Sequence, residues 1–298
     1  MEVLENVKND TVKKIIETQG HQAEHNFYHY LNVGAMYDAC VFPVFEEKYG
    51  IMGFKDKDNY WCYTDPLAPE EKSLKFFMEF VKWAFSQDAK KVRAEINEKL
   101  WKDVVSSLQD FRAIKPSFIY FWPVYDLKKW SLSGIPMKKL RNRKNAFEKN
   151  HKIEILGKEN IAKGEIIKII EKWKKARKGP DVAHVENYIS AVENNFSGYD
   201  SVRFIAIDGT VHGVNGGWKI PNSNNFYSQL GLHDYSVEDI GEYLYIEDLT
   251  FLKNAGFDFA DFGGSGKDLL AFKRKFLPTF VYKTIEFSIL PKRSFPGR

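Results

Sequence analysis

The stretch Asp234–Pro278, DYSVEDIGEYLYIEDLTFLKNAGFDFADFGGSGKDLLAFKRKFLP, decides the fold. It reads as helix, strand, glycine loop, helix. Ser236 followed by Asp239 resembles a capping box opening the first helix, and Gly256 supplies its stop. Phe257–Phe262 alternates as a strand, with Phe257, Phe259 and Asp261 on one face. Gly263, Gly264 and Gly266 then turn the chain into a second helix, near Lys267–Phe276.

Two charges in this stretch fall where apolar residues are due. At about 100° per residue, Leu269, Leu270, Phe272, Phe276 and Leu277 fill one arc of the last helix, and Lys273 lies in its middle. Arg274 and Lys275 project to the polar side. In the first helix Glu247 projects between Ile240, Tyr243 and Phe251. An unpaired buried charge is too costly to persist, so each needs an ion-pair partner, a water-filled pocket or a ligand. A structural pair and a functional group both meet that requirement.

Around this stretch, 298 residues suffice for two ordinary domains or one large one. With 44% hydrophobic residues and 15% aromatic ones, the chain has ample core material. No apolar run approaches the ~18 residues of a membrane span. The polar N-terminus MEVLENVKND has no character of a signal or transit peptide, and Cys40 and Cys62 give neither a disulfide framework nor a metal spacing. The expected compartment is the cytoplasm. The net charge of +4 is unevenly spread: Lys128–Lys178 carries 17 Lys or Arg against 5 Asp or Glu. That asymmetry suits either an ordinary solvated basic surface or a face for a polyanion, such as tRNA, a phosphorylated cofactor or an anionic lipid surface.

Residues 1–35 read as helical, and His21, Glu24, His25 and His29 fall on one helical face. That spacing can bind a metal, although partnered histidines on a straight helix usually do not, and no metal is assigned. Strand signals follow in VFPVF, YGIMGF and NYWCYTD, then an amphipathic helix over Pro69–Ser86, a short helix over Leu100–Leu108 and an aromatic strand, SFIYFWPVY. Beyond the Ser133–Gly134 break come a basic helix from Pro136, the strand HKIEIL, a basic helix over Ile161–Lys178 and a helix from about Val182. VRFIAID, VHGVNGGWKI and NNFYSQLGLH are strands leading into the opening stretch, and VYKTIEFSIL is the last strand.

The second half, in this order, resembles the GNAT acyltransferase fold. Gly134–Asn142, Tyr243–Glu247, Phe257–Asp261 and Phe272–Pro278 together resemble the C-terminal domain of bacterial phosphatidylglycerol lysyltransferases, and the architecture is similar to that of Fem-type aminoacyltransferases. The resemblance implies a mixed α/β chain of two tandem GNAT-like domains, 1–132 and 133–298. It also implies transfer of an aminoacyl group from aminoacyl-tRNA, as co-substrate, to an amine or hydroxyl on a small molecule or peptide. Peripheral membrane contact over the basic face is compatible with it, and no bound cofactor is expected.

Ester aminolysis needs alignment, proton removal and oxyanion stabilisation. Lys273 is the candidate for the oxyanion or a donor anion; Glu247, Asp261 and Asp234 are candidates for holding or deprotonating the acceptor amine. Arg141, Asn142, Arg143 and Lys144 are expected to position the anionic donor, with Tyr243, Gly263, Gly264, Ser265 and Lys275 completing the substrate site. The rival reading is acyl-CoA transfer. It requires a glycine-rich loop of backbone donors for the pyrophosphate, whereas LHDYSVEDIGE has one glycine and four acids, Asp234, Glu238, Asp239 and Glu242. The strand-proximal VHGVNGGWK remains an alternative source of such donors. A third reading is a non-catalytic RNA or protein binder. GGSGK lacks the P-loop spacing, and Asp261-Phe262-Gly263 has no His-Arg-Asp loop before it.

Overall fold

A computed structural model describes residues 1–177 and 185–292. In chain order it begins β1 (Glu2–Leu4), α1 (Asp10–Gln19), α2 (Phe27–Gly34), β2 (Ala39–Phe45), β3 (Tyr49–Gly50), β4 (Gly53–Asp56) and β5 (Asn59–Cys62). It continues α3 (Glu70–Ser86), β6 (Lys91–Asn97), α4 (Glu98–Ser107), β7 (Phe111–Ala113), β8 (Phe118–Asp126), α5 (Lys138–Asn150), β9 (Ile153–Gly157) and α6 (Lys163–Ala176). After α7 (Glu186–Glu193) come β10 (Ser201–Ile207), β11 (Thr210–Lys219), β12 (Phe226–His233), α8 (Ile240–Asn254), β13 (Phe259–Asp261), α9 (Lys267–Lys273) and β14 (Phe280–Pro291). Val182 and Lys178 lie outside the described residues.

Two compact units result: Met1–Phe121 with 282–298, and Trp122–Val281. The chain's last strand therefore belongs mostly to the first unit.

In the first unit the sheet order is β1-β2-β4-β5-β6-β14, with only β5 and β6 parallel. Period-two alternation divides its faces. Val92, Ala94 and Ile96 pack with Phe76, Phe77 and Phe80 of α3, while Val12 and Tyr30 of α1 and α2 join Phe42 and Phe54 in a second cluster. The N-terminal region is not one helix. It breaks at Gly20, where the chain turns extended, and restarts at the Asn26 cap. His21, Glu24 and His25 therefore sit in the connection, not on a helical face. His25 is fully buried and accepts the His21 and Gln22 backbone N–H groups through Nδ1. Its Nε2 faces Thr64, and burial pushes its pKa down, so it is a neutral structural residue. Among the described residues no cluster of three or more His, Cys, Asp or Glu is arranged for a metal.

The second unit has the order β8-β13-β12-β11-β10-β9, with β12 and β13 parallel and joined by α8. Phe204 and Val214 face α6 and α7, whereas Ile205 and Ile207 face α5 and α8. Gly213 admits the close approach of α8, since a Cβ there would lie 2.7 Å from Leu244 Cδ1. The first helix of the decisive stretch starts later than its apparent capping box. Its N-cap is Asp239, in the left-handed region at φ 60°, with no side-chain cap bond. The Ser236 N–H is instead taken by Asp234 Oδ1. Among the described residues no helix is long and apolar enough to cross a membrane.

Candidate active site

The β12–α8–β13 crossover sets the carboxyl end of β13 beside the first residues of the parallel strand β12, with Asp261 in register with Tyr227. β13 ends at Asp261, which is buried and accepts the Gly263 N–H through Oδ1 at 2.9 Å. Gly263, at φ 77°, makes the turn that a side chain would strain. The chain passes through Gly264 and buried Ser265, whose hydroxyl donates to Gly263 O, into α9. Lys273, at the end of α9, is only 6% exposed, as its place in the apolar arc requires. Its ammonium donates to the carbonyl oxygens of Phe262 and, at 3.1 Å, Gly263. Asp261, Gly263, Gly264, Ser265 and Lys273 thus form one compact constellation. Leu277 leaves the arc: it terminates the turn in the left-handed region and is half exposed.

Other expected site residues gather around Glu242, on the first turn of α8. Its Oε1 accepts from Arg143 at 2.7 Å and Lys275 at 2.8 Å, while Arg143 also lies 3.3 Å from Asp239. Asp239, Arg143, Asn142, Lys138, Lys139 and Ile135 line an open groove of about 560 Å³. Two neighbours turn away from it: Arg141 donates to the carbonyls of Leu132 and Gly134, and Lys144 pairs with Glu148. Tyr243 stacks on Phe147 at 4.8 Å, and burial raises its pKa to about 12.

Asp234 and Glu247 stand apart. Tyr227 is the register partner of Asp261, and Asp234 lies seven residues further along, a span of roughly 23 Å at strand rise. Burial opposes ionisation of Asp234, but hydrogen bonds from Ser236 and Lys172 outweigh it and hold the carboxyl well below its usual range. Glu247 faces Arg203, which contacts both of its oxygens at 3.1 Å, and Asn215 adds a third bond. Arg203 also binds fully buried Asp248, which takes the Ser228 hydroxyl. This is the geometry of a structural ion-pair network. The VNGG backbone is likewise engaged in the β10 and β12 ladders.

Comparison with curated proteins by sequence finds no match. The family model described as phosphatidylglycerol lysyltransferase, C-terminal, matches residues 21–265. The chain belongs to this family. Among solved structures, L-PGS from Bacillus licheniformis is 16% identical, over 98% of this chain and 94% of that one, with a TM-score of 0.68. FemX gives 10%, 97% and 97%, with 0.59. A tandem GNAT protein from the clavulanic acid biosynthesis pathway gives 9%, 95% and 93%, with 0.53. At these identities the likeness establishes the fold, a mixed α/β GNAT architecture.

Within the lysyltransferase-family match lie Asp261, Gly263, Gly264 and Ser265; Lys273 and Lys275 follow it in the chain. Sequence reasoning missed three residues of the constellation's wall. Tyr125 donates to the Lys273 carbonyl at 2.8 Å, Tyr245 lies 3.1 Å from the Tyr125 hydroxyl, and Phe262 packs against both rings. The available signal was the recurrence of tyrosine among apolar residues, in FWPVY and YLYI. It also missed Arg203 and Asp248, for which the adjacent acids Glu247 and Asp248 were a pointer.

Proposed function

We propose that this lysyltransferase-family chain transfers an aminoacyl group from aminoacyl-tRNA to an amine or hydroxyl acceptor. The family match over residues 21–265 carries the reading. Lys273 fits the chemistry: a buried ammonium bound to the backbone of the glycine loop would stabilise negative charge developing on the attacked carbonyl. Asp261, adjoining the same loop, is our candidate for holding or deprotonating the acceptor amine. Glu247 has no part in this scheme, because Arg203 and Asn215 already occupy its carboxylate. Asp234 is likewise committed to Lys172 and Ser236. Lys138 and Lys139, exposed on the groove, supply positive potential for the donor's phosphates.

Acidity at the start of α8 favours this donor over acyl-CoA. Asp239, Glu242 and nearby Asp234 place carboxylates where a pyrophosphate would need donors. The deciding experiment incubates the protein with total tRNA charged with a mixture of labelled amino acids, in the presence of amine or hydroxyl acceptors, and in parallel with acetyl-CoA. Protein-dependent loss of the aminoacyl ester with label appearing on an acceptor is expected. Thiol release from acetyl-CoA without aminoacyl-tRNA consumption would overturn the proposal.

A further inference from the structure

We infer that Tyr125 and Tyr245 are positioning residues for Lys273, acting through a directed hydrogen-bond relay. The inference rests on the reading of Lys273 as the charged group of the transfer site.

Lys273 ends α9 and passes directly into a 3₁₀ turn over Arg274–Phe276. Its carbonyl accepts a hydrogen bond from the Tyr125 hydroxyl at 2.8 Å. A phenol has one proton to give. With the Tyr125 proton committed to Lys273, the Tyr245 hydroxyl, 3.1 Å away, must donate to the Tyr125 oxygen. The relay therefore runs from Tyr245 on α8, through Tyr125 on β8, to the backbone of Lys273.

The same two rings also fix the other end of the lysine. Its ammonium is held by the Phe262 carbonyl. The Phe262 ring meets Tyr125 edge-on, at 5.3 Å and 80°, and lies 4.2 Å from the Tyr245 ring. Tyr245 stacks on Phe276 as well, also at 4.2 Å. Packing alone does not call for these hydroxyls. The surroundings are apolar, including Phe226, Ile246, Leu249 and Phe276, and phenylalanine would fill the space without two polar atoms to desolvate. Two tyrosines in such a cluster, aligned head to tail on one carbonyl, make sense as a gauge that sets the height of Lys273 relative to the Gly263 loop.

The test uses the full chain with Tyr125→Phe, Tyr245→Phe and Lys273→Met. The first readout needs no substrate: reductive methylation of Lys273 with formaldehyde and cyanoborohydride, followed by peptide mass spectrometry and normalised to Lys172 and Lys275. Tyr125→Phe should speed Lys273 methylation by roughly 2- to 10-fold, corresponding to one lost hydrogen bond. Tyr245→Phe should have a smaller effect, because Tyr125 still reaches the carbonyl. The second readout is single-turnover transfer from charged total tRNA. There Tyr125→Phe should lower the rate by about 10–10², as expected for misplacement of a catalytic group, with tRNA half-saturation unchanged and Lys273→Met as the floor.

Unchanged Lys273 methylation in Tyr125→Phe overturns the inference, as does an equal rise at all three lysines, which would report general loosening. If Tyr125→Phe does not fold, Tyr245→Phe carries both readouts under the same criteria. Should the wild-type protein transfer nothing from charged tRNA, the proposed function fails, while the methylation arm still decides the relay.

Discussion

Reversing Lys138 and Lys139 to glutamate tests whether the groove on α5 is where a polyanion binds. Both side chains are exposed and line the groove. Three other cations of the helix are engaged: Arg143 with Glu242 and Asp239, Lys144 with Glu148, and Arg141 with two loop carbonyls. Each phosphate contact contributes roughly 0.7–0.9 to the slope of log affinity against log salt. Losing two contacts should flatten the slope by roughly 1.4–1.8. Between 50 and 200 mM salt, the double variant should then lose about tenfold less affinity than the wild type. The two proteins should converge as salt rises. Anisotropy titrations of labelled total tRNA at four salt concentrations measure this directly, with Arg141→Gln and Lys144→Gln as comparison variants expected to leave the slope within about 0.5 of wild type. An unchanged slope in the double reversal, or an equal change in the comparison variants, would refute the assignment of the groove.

Two stability predictions follow from buried charges. Arg203→Met strands the carboxylates of Glu247 and Asp248, which should cost about 3–5 kcal/mol and lower the melting temperature by roughly 6–20 °C; a near-UV circular dichroism melt within 2 °C of wild type, roughly 1 kcal/mol or less, would show that the network does not stabilise to that extent. Burial holds the His233 imidazole at about 4, below its ordinary 6.5, despite opposing pull from Glu242 and Asp234. Between those values the unfolded chain binds the extra proton, so the contribution is complete above about pH 6.5 and is lost as pH falls towards 4, up to roughly 3 kcal/mol. His233→Gln should flatten that part of the profile in urea unfolding at pH 7.5, 5.5 and 4.5. An unaltered profile would place the acid sensitivity elsewhere.

Much of the fold is legible because period-two and period-3.6 patterns follow directly from backbone geometry. Phe204 and Ile205 point to opposite layers, and Lys273 sits in the arc where its projection puts it. Boundaries were harder, because side chains that look like caps can be claimed elsewhere. Ser236 gives its backbone N–H to Asp234, leaving Asp239 to open α8 in an unusual conformation. Long-range partnership was least visible. Projection could require a partner for Glu247, but Arg203 lies 44 positions away in sequence, on a strand whose register no local pattern reveals. The same applies to Tyr125 and Lys273, which are 148 positions apart. The candidate site could be read locally at Asp261 and the glycine loop; the tyrosines packed behind it could not.

Charge asymmetry in the sequence is an imperfect guide to a binding face, because folding consumes charges unequally. The basic run from Lys128 to Lys178 has a large surplus, yet Arg143, Lys144, Lys152 and Lys172 each meet a carboxylate within its own unit. Arg143 is the informative case. It docks the basic helix against Glu242 of α8, and Lys275 joins the same carboxylate from the turn after α9. The acids that, on the proposed function, oppose a pyrophosphate at the start of α8 thus also help to anchor the helix presenting Lys138 and Lys139. Removing Glu242 to favour an anion at α8 would take the carboxylate from Lys275 and leave Arg143 with Asp239, weakening one of the contacts that seat α5. On the proposed function, a carboxylate that opposes a pyrophosphate at α8 also helps to seat the helix that presents charge to tRNA, so a substitution at Glu242 touches both.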